Sequence, residues 1–105
     1  MGPGLLESVY ERALVYELEQ MEYKVKRQYG IPMKYKEIDF EVGFRLDILV
    51  NDLVIIEVKS VENLMDVHYK QLLTYLRLTN KKLGLLINFN SVSLTNSIKR
   101  IVNRL

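Results

Sequence analysis

The sequence predicts one small α/β domain with its elements in the order α-β-β-β-α-β-α. Three observations carry that expectation. Apolar residues recur at helical spacing in two stretches, one at the start of the chain and one near its middle. Between them a run alternates in twos and leads into LVIIEVKS, and a second apolar run, LGLLINF, follows the second helical stretch. With 105 residues, 49% of them apolar and 27% charged, there is material for a single core but not for separate cofactor and substrate domains. Residues 1–105 are therefore expected to form one unit.

The first helix opens at Pro3 and Gly4, with Leu6, Val9, Tyr10, Ala13, Leu14, Leu18 and Met21 at helical spacing. Proline suits a first helical turn because an N–H there would lack a partner anyway. Residues 23–29 and 31–36 are β-prone but broken by Gly30 and Pro32, which predicts one irregular strand or two short ones. From Glu41 onward, Val42, Phe44, Leu46, Ile48 and Val50 alternate with Gly43, Arg45, Asp47 and Leu49. Asn51-Asp52 interrupts, and LVIIEVKS completes a hairpin. Asn63, with Asp66 three residues on, is the expected cap of a second helix. Its apolar positions include Leu64, Val67, Leu72, Leu73 and Leu76, and it ends near Thr79-Asn80. LGLLINF reads as a buried strand. Thr95 or Asn96 then starts a last short helix, with Ile98, Ile101, Val102 and Leu105 inward and Lys99, Arg100 and Arg104 outward.

Composition removes several function classes. Without cysteine there is no disulfide framework, thiolate zinc site or cysteine nucleophile, and a single histidine excludes a multi-histidine metal cage. The apolar runs fall far short of the roughly 18 residues a membrane helix needs, so a cytoplasmic protein without membrane contact is expected. The net charge of +2 hides an asymmetry: residues 1–69 carry 8 basic and 13 acidic side chains, residues 70–105 carry 7 basic and none acidic. An acidic part beside a basic part is what a site needs when it must hold a cation and a polyanion together.

Glu57 and Lys59 stand two apart on one strand, so their side chains leave the same face, and Asp47 lies on the preceding arm of the hairpin. Charges inside an apolar strand are costly to keep without pairing or function. Two neighbouring carboxylates repel unless a cation sits between them, and hard oxygen ligands suit Mg²⁺ or Mn²⁺. Lys59 beside them could activate or orient a water. A surface salt bridge is the commoner meaning of such a pair on a strand, and the apolar setting is what argues for chemistry here. Gln71 and Tyr75, four apart, share one helical stripe with His68 and Leu64. Glu7 carries less weight, because Glu11, Glu17, Glu19 and Glu22 on the same helix read as ordinary surface charge.

The hairpin loop decides whether the carboxylates can meet. A two-residue turn pairing Val50 with Leu53 would send Asp47 and Glu57 to opposite faces. The site requires an odd loop, such as Asn51-Asp52-Leu53 with Val50 opposite Val54, or a bulge before Asp47.

GLLESVY, with Gly4, Glu7 and Tyr10, followed in order by FRLDILV, IIEVKSV, QLLTYL, LGLLINF and IKRIVN, resembles the GxxExxY proteins, which are grouped with the PD-(D/E)XK nuclease superfamily. The resemblance covers nearly the whole chain. It implies a restriction-endonuclease-like α-β-β-β-α-β core, a mixed central sheet flanked by helices, and a metal-dependent nuclease acting on nucleic acid, DNA ahead of RNA. By the same resemblance Asp47 is the metal-binding aspartate, Glu57 and Lys59 are the (D/E)XK pair, and the Val58 carbonyl contributes to the metal. Glu7 matches an acidic residue that some members place on the first core helix, and Gln71 with Tyr75 matches a QxxxY motif. Two departures stand out: Leu46 replaces the motif's proline, and only three residues precede Gly4, where a further helical stretch is expected. Lys81, Lys82, Lys99 and Arg100 form the expected phosphate-binding surface. A homodimer fits a minimal core that offers little surface to enclose a substrate. The rival reading is a module that keeps the fold and holds nucleic acid or a protein partner without cleaving.

Overall fold

The computed structural model describes residues 3–35, 38–89 and 98–104, with the side chains of residues 3–5 and 32–43 left aside. Its elements are α1 (Pro3–Gln20), β1 (Val25–Tyr35), β2 (Ile38–Val50), β3 (Val54–Lys59), α2 (Asp66–Thr79), β4 (Leu83–Asn88) and β5 (Ile98–Val102). The five strands form one sheet in chain order. All neighbours are antiparallel except β3 and β4, which run parallel because α2 carries the chain back between them. The α-β-β-β-α-β order and the mixed sheet are those expected.

Each face of the sheet is covered by one helix. On one face, Leu46, Leu49, Ile55 and Leu86 pack with Leu72, Tyr75 and Leu76 of α2. On the other, Ile48, Val50, Ile56, Val58 and Ile87 meet Tyr10, Leu14, Val15 and Leu18 of α1. β3 is paired on both sides and covered on both faces, which makes it the interior strand. Gly84 is needed where α2 presses on β4, since a Cβ there would stand 3.0 Å from Leu72.

Several expectations require correction. The last element is a strand. Ile98, Ile101 and Val102 are β-branched, and the open edge of β4 offers them a ladder that a short isolated helix could not match. Lys99, Arg100 and Arg104 are exposed, as the helical reading also had them. Thr95, Asn96 and Leu105 lie outside the described residues. The second helix is capped at Met65 rather than Asn63, and His68 Nδ1 accepts the Met65 N–H at 2.9 Å. Leu6, Val9, Met21 and Val67 are exposed. The packed stripe of α1 instead runs through Tyr10, Leu14, Val15 and Leu18 and includes the buried Glu11. Residues 25–35 make one strand with a register shift between Ile31 and Met33, the irregular single strand among the two forms expected.

Candidate active site

The hairpin closes through three residues, Asn51-Asp52-Leu53. Val50 pairs with Val54, Leu49 with Ile55 and Ile48 with Ile56. Asn51 and Asp52 both take positive φ, a conformation their short polar side chains tolerate, and the Leu53 N–H donates to the Val50 carbonyl at 2.9 Å. This is the odd loop that puts Asp47 and Glu57 on the same side. Beyond Ile48 the ladder stops, and the Val58 N–H donates to Asp47 Oδ2 at 2.8 Å instead.

Asp47 also marks a break in the alternation of β2. Leu46 is buried against α2, whereas Ile48 is buried on the α1 face. The facing strand breaks at the same level. Pairing joins Arg27 with Ile48 and Tyr29 with Leu46, leaving out Gln28, whose φ of 52° is unusual for that residue. The strict period-two reading of residues 42–50 therefore fails at the residue that matters. Asp47 stands at a split in the sheet, open to a cleft of about 320 Å³ that Glu7, Glu11, Arg27 and Val58 also line.

Glu57 is 2% exposed, and its Oε1 is buried without a hydrogen-bond partner among the described residues. Its carboxyl is pushed up to about 10, by burial first and then by a hydrogen bond with Asp47 and the Asp47 charge, with Lys59 offsetting only part of that. Burial and the neighbouring carboxylate thus both favour the protonated form of Glu57. Tyr75 is raised as well, by burial first and then by the charge of Glu57.

Lys59 leaves the same face of β3 and meets α2. Its Nζ donates to Gln71 Oε1 at 3.3 Å, and Gln71 Nε2 donates to Tyr75 Oη at 3.0 Å. The polar stripe of α2 thus orients the lysine. Glu7 reaches from α1 to the end of β3, where its Oε1 accepts the Ser60 N–H at 3.1 Å. All six residues expected to be catalytic lie around the last turn of β3.

The four expected phosphate-binding residues do not join them. Lys81 and Lys82 precede β4 at the hairpin end of the sheet, where Leu83, the first residue of β4, is already roughly 16 Å from the level of Lys59 at the usual strand rise, and Lys81 pairs with Asp52 at 3.3 Å. Lys99 and Arg100 are exposed along the β5 edge, opposite Leu86 and Leu85.

Two residues escaped the sequence reading. Glu11, taken for surface charge, is 4% exposed. Its Oε1 accepts from Gln28 Nε2 at 2.8 Å, and its Oε2 lies 3.6 Å from Arg27 Nε. The signal was its place in the sequence 7, 11, 14, 18, the stripe that packs on the sheet. Asn88, which pairs with Lys59 across β4, clamps the turn after β3: its Oδ1 accepts the Val61 N–H at 3.0 Å and its Nδ2 donates to the Val61 carbonyl at 2.8 Å.

A model of the PD-(D/E)XK nuclease superfamily matches residues 1–101. The chain belongs to that superfamily. No curated protein and no solved structure matches it. Members of the PD-(D/E)XK superfamily generally use divalent metal ions, and the donors here suit one: two adjacent carboxylates, one holding a buried oxygen with nothing to bond it. Among the described residues no three acidic or histidine side chains converge, so a metal held here would also draw on backbone carbonyl or water. No helix among the described residues is long and apolar enough to cross a membrane.

Proposed function

We propose that this PD-(D/E)XK protein, as a member of the GxxExxY group, is a Mg²⁺- or Mn²⁺-dependent nuclease that hydrolyses phosphodiester bonds, with DNA ahead of RNA as substrate. The observation that carries the reading is the orphaned Glu57 Oε1 beside Asp47. A structural ion-pair network would have spent that oxygen on Lys59, yet Lys59 donates to Gln71.

Asp47, Glu57 and the Val58 carbonyl would hold the metal, with Glu7 close by at the end of β3. When bound, the ion polarises the phosphate and lowers the pKa of a water. The chain's own residues do the rest. Asp47 is fixed by the Val58 N–H, which holds its carboxylate in one orientation. Glu57, favoured in its protonated form by burial, would have to ionise to serve as a metal ligand. Lys59 Nζ, restrained by Gln71, has further donor capacity for the attacking water and for charge developing on the phosphate oxygens. Tyr75 locks the Gln71 amide. In hydrolysis the water oxygen bonds to phosphorus, its proton leaves to solvent or a nearby base, and the bond to the leaving sugar oxygen breaks.

The test is cleavage of single- and double-stranded DNA and RNA with Mg²⁺, Mn²⁺ or EDTA. Activity should vanish in EDTA, and Glu57→Ala or Lys59→Ala should lower it by at least about 10²-fold while the fold survives. Equal activity in EDTA, or in both variants, overturns the mechanism. Metal-dependent binding with no cleavage of any form would favour the non-cleaving module.

A further inference from the structure

Arg27, on β1, is the one cation among the described residues that line the cleft beside Asp47; Glu7, Glu11 and Asp47 are its acids. Arg27 Nε is buried and has no hydrogen-bond partner among the described residues, where its ion-pair partner, Glu11 Oε2, stands 3.6 Å away. The other Glu11 oxygen accepts from Gln28 Nε2 at 2.8 Å, which ties that carboxylate to β1. The Arg27 side chain is 30% exposed despite the buried Nε. The side chain thus lines the cleft partly open, with its Nε buried next to Glu11 and lacking a hydrogen bond there.

A guanidinium held this way presents a planar fork of donors, which fits a phosphate better than a point charge does. The setting narrows the ligand further. Acidic groups outnumber the arginine in the cleft, so a free anion is repelled. An anion with oxygens to spare for both a cation at Asp47 and the arginine is accepted, and a backbone phosphate has that chemistry. We propose that Arg27 grips a non-bridging oxygen of a nucleic-acid phosphate entering the cleft next to Asp47, held in place by Glu11 and Gln28. This rests on the nuclease reading and assigns the cleft of α1, rather than the basic C-terminal third, as the place where the strand is anchored near the site.

The experiment measures binding of labelled DNA and RNA, single- and double-stranded, to the full chain in Ca²⁺ and in EDTA across a salt series. Arg27→Gln should flatten the dependence of log K on log salt by about 0.9 for duplex or about 0.7 for a single strand, the loss of one phosphate contact. Arg27→Lys keeps the charge against Glu11 and should keep the slope while lowering affinity at least about tenfold, because the fork is lost. A parent that binds, with an unchanged slope in Arg27→Gln, overturns this inference and leaves the nuclease reading standing. Should Arg27→Gln fail to fold, parental affinity in Arg27→Lys overturns it. A parent that binds none of the four nucleic acids overturns both.

Discussion

Glu11 and Glu57 are both almost fully buried, and both are pushed toward the neutral acid by that burial. Their neighbours differ. Around Glu11, the Gln28 hydrogen bond and the Arg27 and Arg12 charges pull back toward the carboxylate against the charge of Asp47, and each oxygen has a partner, a hydrogen bond for one and the Arg27 ion pair for the other. Around Glu57, the strongest charge influence is another carboxylate, and one oxygen has no hydrogen-bond partner among the described residues. The pair teaches that a buried acid by itself says little about function. The first is a self-contained strut between α1 and β1. The second is incomplete without a cation, and such sites carry a stability cost.

The sharpest way to break this contrast is pH. The folded-state pKa of Glu57 lies above its unfolded value, so its proton favours folding at low pH, and that contribution is lost as pH rises toward about 10. Thermal unfolding in EDTA should show the parent weakening with pH relative to Glu57→Gln, by at most ~1.4 kcal/mol per pH unit and less where water enters. Parallel curves for the two proteins would remove the strain assigned to Glu57.

Metal titration probes the same difference from the other side. At a hundredfold excess over Kd, Mg²⁺ or Mn²⁺ should stabilise the parent by about 2.7 kcal/mol, and more readily at high pH because Glu57 must release its proton first. Asp47→Asn and Glu57→Gln should lose that response. Glu11→Gln should retain it; a loss there would move Glu11 into the metal site.

The smallest effect expected is on Glu11 itself. Glu11→Ala strands the Gln28 amide and the Arg27 guanidinium, which should destabilise the fold by about 1–2 kcal/mol, below the cost of a fully buried pair because Arg27 is partly open to water. Urea unfolding of Glu11→Ala beside Glu57→Gln, both in EDTA, should give shifts of opposite sign. A neutral Glu11→Ala would mean that its hydrogen bonds are replaced by water.

Much of the proposed site was legible because its residues are chemically out of place. Glu57 and Lys59 interrupt an apolar run, and a two-residue spacing on a strand needs no tertiary knowledge to set a common face. The loop parity that brings Asp47 to Glu57 could be stated as a condition, since strand geometry leaves only odd loops or a bulge. The break at Asp47 could not, because Leu46 and Ile48 continue a perfect alternation in the sequence yet are buried on opposite faces. Nor could the burial of Glu11, which looks like the other glutamates of the helix until α1 docks.

The sequence by itself determined the α-β-β-β-α-β order, the two helices that cover the sheet, and the common face of Glu57 and Lys59 on β3, because hydrophobic periodicity and strand geometry are local properties. The tertiary structure decided what depends on a partner far along the chain. Residues 98–102 became a strand because β4 had an edge to fill. Lys59 turned to Gln71 rather than Glu57 because α2 crosses there. The phosphate-binding candidates were spread over the far end and the β5 edge of the sheet because β3 and β4 run parallel. Charge composition is blind to direction, and only the packed sheet assigns each charge to an end.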